Sequence, residues 1–124
     1  MKVTCGTDII EIERIKESID KLGNKFINRI FTKKEIDYCE SKSKQKYQHY
    51  AARFAAKEAA FKALSWKIEN KYDVLWTDFE VDVNQQGRPN ISILGIDLSD
   101  VENIDISISH CKDYAVANVI VLGR

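Results

Sequence analysis

The chain has 124 residues, 44% of them hydrophobic and 31% charged, with one Pro and five Gly, which excludes intrinsic disorder and leaves room for one domain, residues 1–124. No run approaches the ~20 apolar residues that a bilayer requires, so no membrane span is expected. Net charge is zero, yet residues 1–64 hold 14 Lys/Arg against 9 Asp/Glu while the other 60 hold 5 against 10, so a basic half is joined to an acidic one and an acidic partner could bind the former. A lysine-rich helical surface would give the same asymmetry.

At the N-terminus, MKVTCGTDIIEIERI has no apolar segment followed by a small-residue cleavage site, and a cytoplasmic protein is the expectation. Val3 to Ile12 starts as a β-rich run. From Asp8 onward Ile9, Ile12, Ile15 and Ile19 recur at helical spacing until Gly23 interrupts them, which predicts a strand followed by a helix with Asp8 at or near the join. Thr32-Lys-Lys-Glu35 has the form of a capping box and predicts a second helix from Thr32, with Phe31 as a candidate staple. Cys5, Cys39 and Cys111 lack CxxC spacing and read as reduced, mostly buried thiols rather than a disulfide framework or a zinc site.

A third helix is predicted over roughly Tyr47 to Leu64. On a wheel of 100° per residue Tyr47, Tyr50, Phe54, Phe61 and Leu64 form one stripe, and Ala52, Ala55, Ala56, Ala59, Ala60 and Ala63 lie opposite. A helix apolar on two sides is a buried one. Arg53, Lys57, Glu58 and Lys62 share the segment, and charges in or beside a core are costly unless they pair or bind something. Glu58 and Lys62 have the order and spacing of an ordinary helical ion pair, but a carboxylate beside ammonium groups also suits a divalent cation with phosphates. Asp8 adds a second carboxylate, or is simply a helix N-cap.

The second half reads as sheet. Phe79, Val81 and Val83 alternate with acidic residues, a turn spans Asn84 to Pro89, and Ile91 and Ile93 resume the alternation as a hairpin. After a loop or helical turn near Leu98 to Val101, Ile104, Ile106 and Ile108 alternate up to His110, and Tyr114 to Leu122 pairs back across Cys111-Lys112-Asp113. No repeat or linker divides the chain, and the class is α+β.

Three segments then carry a resemblance: Gly6-Thr7-Asp8-Ile9-Ile10-Glu11-Ile12, Arg53-Phe54-Ala55-Ala56-Lys57-Glu58-Ala59-Ala60-Phe61-Lys62-Ala63, and Ile106-Ser107-Ile108-Ser109-His110 with Tyr114-Ala115-Val116-Ala117. In order and spacing they closely resemble the holo-acyl-carrier-protein synthases, the short phosphopantetheinyl transferases, over nearly the whole chain. The Asn28-Arg29-Ile30-Phe31-Thr32 and Gly87-Arg88-Pro89 segments also look like family positions. The resemblance implies the phosphopantetheinyl transferase fold, with N-terminal helices packed on a mainly antiparallel C-terminal sheet. It implies transfer of the 4′-phosphopantetheine arm of coenzyme A to a serine of apo acyl carrier protein, with release of adenosine 3′,5′-bisphosphate, in support of fatty acid biosynthesis.

By the same resemblance, Asp8 and Glu58 would hold Mg²⁺, Lys62 would stabilise developing charge, and Arg53 and His110 would contact coenzyme A phosphates. Acyl carrier protein would dock on the first helical region through Arg14, Lys21, Lys25 and Arg29, with Phe26 as the apolar anchor or as ordinary core. A homotrimer with active sites between subunits is implied, and neither nucleic acid nor membrane is expected as a partner. The family usually continues past the KExxxKA motif with a glycine-containing turn, whereas this chain reads Leu64-Ser65-Trp66-Lys67-Ile68, where Lys67 would compensate with charge and Trp66 would stack on a base or pack. That departure leaves as an alternative a catalytically impaired relative that binds acyl carrier protein without transfer.

Overall fold

The computed structural model describes residues 1–124. Strand β1 (Lys2–Glu11) leads into three helices, α1 (Ile12–Leu22), α2 (Asn24–Ile30) and α3 (Lys33–Glu40), and then the long helix α4 (Lys46–Ala63). Short 3₁₀ turns connect α4 to the hairpin β2 (Phe79–Val83) and β3 (Pro89–Ile93), and β4 (Val101–His110) and β5 (Tyr114–Gly123) complete the chain. The protein is α+β. Its strands form two antiparallel sheets, β1-β5-β4 and β2-β3, so the N-terminal strand is an edge of the C-terminal sheet.

Asp8 does not mark the join between strand and helix. β1 runs three residues further and pairs with β5 through Ile9↔Val116, Ile10↔Ala115 and Glu11↔Tyr114. The β-branched Ile9 and Ile10 fit that pleated surface better than a first helical turn. Helix α1 begins with Glu11 as an N-cap that makes no side-chain bond, which removes capping as a role for Asp8. Gly23, at φ 60° and ψ −137°, adopts a backbone conformation that side chains resist. It separates α1 from α2, a helix that the isoleucine spacing does not predict.

The Thr32 capping box is present: Thr32 Oγ1 accepts from the Glu35 N–H at 3.3 Å, and Glu35 Oε1 accepts from the Thr32 N–H at 2.9 Å. The predicted β2–β3 hairpin is present, with Val81 opposite Ile91. Cys39 is buried and burial pushes its thiol up to about 12, whereas Cys5 and Cys111 are exposed, so most of the thiols are not buried. Both lie at places that cover one side of the chain only, the outer face of β1 and the β4–β5 turn.

Helix α4 belongs to two cores. Ala55, Ala56, Ala59, Ala60 and Ala63 pack against Val119, Val121, Ile106 and Phe79 from the two sheets. Tyr50, Ala51 and Ala52 pack with Ile15, Ile19, Ile27 and Phe31 beneath the N-terminal helices. Small side chains let the helix approach the sheet closely, and Gly6 of β1 shows how closely. A Cβ on Gly6 would fall 2.0 Å from the Ala59 carbonyl oxygen and 2.9 Å from the Ala63 nitrogen.

Candidate active site

The glycine contact decides what happens two residues later. Thr4, Gly6 and Asp8 share the inner face of β1 by strand alternation, and Thr4 Oγ1 donates to the Ala63 carbonyl at 2.7 Å. With β1 laid on α4 in this way, Asp8 reaches the neighbouring turn of the helix. Lys62 Nζ donates to Asp8 Oδ1 at 3.2 Å and to the Thr7 carbonyl at 3.0 Å. Glu58, one turn before Lys62, is half-buried, and its carboxyl is pushed upward first by burial and then by the Asp8 charge, with Lys62 opposing. Two carboxylates and one ammonium therefore meet where β1 crosses α4.

Glu58 separates two hollows. One, about 390 Å³, is lined by Asp8, Glu11, Arg14, Phe54 and Tyr114. The other, about 600 Å³, is lined by Arg29, Phe61, Tyr72, Leu75 and Trp76. Arg14 of α1 and Arg29 of α2 thus stand on the two sides of the same carboxylate. Lys21 and Lys25 are exposed on those helices, and Phe26 is half-buried, edge-on to Phe31 at 6.4 Å.

The remaining candidates lie elsewhere. Arg53 is five residues before Glu58, about 140° round the helix, and is 4% exposed. Its guanidinium lies over the Tyr38 ring at 4.1 Å. His110 is exposed at the end of β4, with its ring 6.4 Å from that of His49. Within one subunit neither is joined to the Asp8–Glu58 pair. Lys67 is paired with Asp100 at 2.6 Å, and Trp66 is packed, its Nε1–H shared between the Ala63 carbonyl and Thr4 Oγ1.

Lys57 has a part that sequence reading does not assign. It is fully buried, with its ammonium 2.7 Å from Glu35 Oε1 and donating to the carbonyls of Ile30 at 2.9 Å, Trp76 at 3.1 Å and Phe79. Glu35 Oε2 accepts from the Val81 N–H at 2.8 Å. One buried pair thus ties α4 to α2, α3 and β2, and it fixes the backbone that carries Glu58. The capping box was the only visible signal for Glu35.

Against known families, residues 4–119 match the model of the 4′-phosphopantetheinyl transferase superfamily. The chain belongs to that family. It is 41% identical to a holo-[acyl-carrier-protein] synthase of Ruminiclostridium cellulolyticum over 98% of this chain and 92% of that protein. It is 44% identical to the Protochlamydia amoebophila synthase over 94% of this chain and 95% of that one. Among solved structures, the Bacillus anthracis holo-(acyl-carrier-protein) synthase in complex with CoA (3′,5′-ADP) superposes with TM-score 0.81 at 33% identity, over 98% and 96% of the two chains. The Chronobacterium ammoniagenes ACPS–CoA complex superposes with TM-score 0.84 at 28% identity, over 100% and 99%. This transferase is an enzyme of the holo-acyl-carrier-protein synthase type, and its fold is the phosphopantetheinyl transferase fold.

Proposed function

We propose that this enzyme transfers 4′-phosphopantetheine from coenzyme A to a serine of apo acyl carrier protein. The serine oxygen bonds to the phosphorus that bears the pantetheine, the diphosphate P–O bond breaks, and adenosine 3′,5′-bisphosphate leaves; the hydroxyl proton passes to a water or carboxylate at the site. The observation that carries the reading is the convergence of Asp8, Glu58 and Lys62 at the crossing of β1 and α4, in a chain of this family.

Asp8 and Glu58 suit Mg²⁺ by their chemistry. Both are hard oxygen donors, the Asp8 charge raises the cost of ionising Glu58, and no third His, Cys, Asp or Glu joins them, which leaves positions for phosphate oxygens and water as this cation prefers. Held by Asp8 and Glu58, Mg²⁺ would supply Lewis-acid polarisation of the attacked phosphorus and would offset charge on the leaving phosphate. Lys62 adds a point cation for the same charge, and its exposed ammonium is free to move from Asp8 to a phosphate oxygen. Arg53 and His110 contact coenzyme A phosphates from a neighbouring subunit.

A homotrimer accounts for that sharing. The outer face of β1 and β5 leaves Val3 65%, Ile9 63% and Ile120 51% exposed, an apolar face of the kind that subunit contacts cover. Acyl carrier protein docks on α1 and α2, where Arg14 and Arg29 lead from the exposed Lys21 and Lys25 to the two hollows beside Glu58, and Phe26 supplies apolar contact. On this reading the enzyme works in the cytoplasm in fatty acid biosynthesis. No helix is long and apolar enough to cross a membrane.

Mass spectrometry of apo acyl carrier protein incubated with enzyme, coenzyme A and Mg²⁺ tests the reading. Gain of one phosphopantetheine is expected. Carrier binding without mass gain would instead support the impaired relative that the glycine-free 64–68 segment suggests.

A further inference from the structure

Helix α2 is seven residues long, and its N-cap, Gly23, offers no side-chain bond to its first N–H groups. A helix this short does not hold itself in water. Yet it carries Phe26 and Arg29, the latter lining the larger hollow beside Glu58. What keeps α2 in place must come from the rest of the fold.

That support stands behind its C-terminal end. The Lys57 ammonium donates to the carbonyl of Ile30, the last residue of α2, at 2.9 Å. This is one of the carbonyls that a helix end leaves without an intrahelical partner, and a cation there also meets the negative end of the helix dipole. Two residues on, Glu35 Oε1 accepts from the Thr32 N–H at 2.9 Å while lying 2.7 Å from the same ammonium. The backbone from Ile30 to Thr32 is thus gripped by a carbonyl and by an N–H, and the two side chains that grip it hold each other. The ammonium also lies over the Phe31 ring at 5.6 Å, and Phe31 is edge-on to Phe26 at 6.4 Å. One buried cation therefore backs both Phe26 and Arg29. Its other bonds, to the carbonyls of Trp76 and Phe79, fix a further part of the wall of the hollow that Arg29 lines.

We propose that Lys57 and Glu35 are positioning residues for carrier-protein recognition: the buried pair clamps the Ile30–Thr32 backbone and so sets Arg29 and Phe26 in place relative to Glu58. The inference rests on acyl carrier protein docking on α1 and α2. Both residues of the pair are fully buried, so neither meets the carrier itself, and what they do for it they do through α2. A docking surface that is ordered before its partner arrives does not lose affinity to the cost of ordering it.

Steady-state kinetics of Lys57→Met/Glu35→Met test the role, because this double variant removes the clamp without leaving an unpaired buried charge. Loss of the equivalent of one charge-assisted contact predicts about a tenfold rise in KM for acyl carrier protein, with KM for coenzyme A within about twofold of wild type. A variant that is merely less stable has fewer active molecules, which lowers kcat and moves neither KM. Arg29→Ala, which removes a docking group directly, should raise the same KM, and combining it with the double variant should cost less than the product of the two effects. Fully multiplicative effects would overturn the inference. A raised carrier KM in Arg29→Ala beside an unaltered one in the folded double variant overturns the positioning role alone; an unaltered value in both overturns the docking reading and this inference with it. Hydrogen exchange on the wild-type enzyme needs neither variants nor turnover. The Phe31 N–H, bonded to the Ile27 carbonyl at 2.9 Å, and the Thr32 N–H are expected to exchange as slowly as the amides of α4. Fast exchange there through local opening would show that the pair does not hold α2, and would overturn the inference even if no variant folds.

Discussion

Lys57 and Glu35 are 2.7 Å apart and neither is exposed to solvent. Burial pushes the Lys57 ammonium toward its neutral form, and Glu35 opposes that push, so the pair holds its charge only as a pair. Breaking such a pair from one side leaves an uncompensated buried charge and costs about 3–5 kcal/mol. Lys57→Met and Glu35→Gln are each expected to lower the denaturant midpoint strongly. The double variant should be less destabilised than the sum of the two, and additive losses in a double-mutant cycle would refute the coupling.

Gly6→Ala tests the strand–helix contact. The added Cβ would meet backbone atoms of Ala59 and Ala63, which cannot rotate away as a side chain can. β1 must lift from α4, and Asp8 with it. The expected result is reduced stability together with loss of transfer, and an alanine variant with wild-type activity would show that the contact does not position Asp8.

Asp8→Ala or Glu58→Ala should lower transfer by about 10²-fold or more, as for other lost electrostatic stabilisers. Chelation by EDTA should inhibit, and Mg²⁺ or Mn²⁺ should restore. The stability change is of opposite sign for Glu58. Its carboxyl is raised in the folded protein, so the folded state binds the proton more tightly than the unfolded state. Stability is then greatest below the unfolded value and falls as pH rises toward the folded one. In metal-free buffer at neutral pH, Glu58→Gln is therefore expected to unfold no earlier than wild type while transferring poorly; full activity without divalent metal would remove the carboxylate pair from the mechanism.

Light scattering at micromolar concentration is expected to give three times the 14.3 kDa chain mass. Ile120→Lys, at the centre strand of the exposed sheet face, should dissociate the assembly, because an unpaired charge is costly in an apolar contact. An active protein of single-chain mass would contradict the shared site.

Lys25→Glu/Arg29→Glu reverses two exposed charges on α2. Such rim charges act mainly on encounter rate and are screened over a Debye length of ~8 Å at physiological salt. KM for acyl carrier protein should rise, KM for coenzyme A should stay nearly constant, and wild-type rates at low carrier concentration should fall with salt. An unchanged carrier KM would mean that these residues only solvate a helix face.

Much of this protein is legible in one dimension because its signals are local. Period-two alternation yields β2, β3, β4 and β5, period 3.6 yields α1 and α4, and Thr32 with Glu35 marks the start of α3. Gly6-Thr7-Asp8 and the Lys57–Lys62 run point to the family and to its carboxylates. Local pattern could not decide where β1 ends, since the same isoleucines suit a strand or a helix until pairing with β5 selects the strand. Nor could it separate Lys57 from Glu58, adjacent in sequence, of which one is sealed among carbonyls of three other elements and the other faces two hollows. The meeting of His49 with His110, and of Gly6 with Ala59, joins residues whose spacing in the chain carries no period at all. Those contacts exist only because close packing of β1, β5 and β4 on an alanine-faced helix brings them together, and that packing is a property of the folded chain.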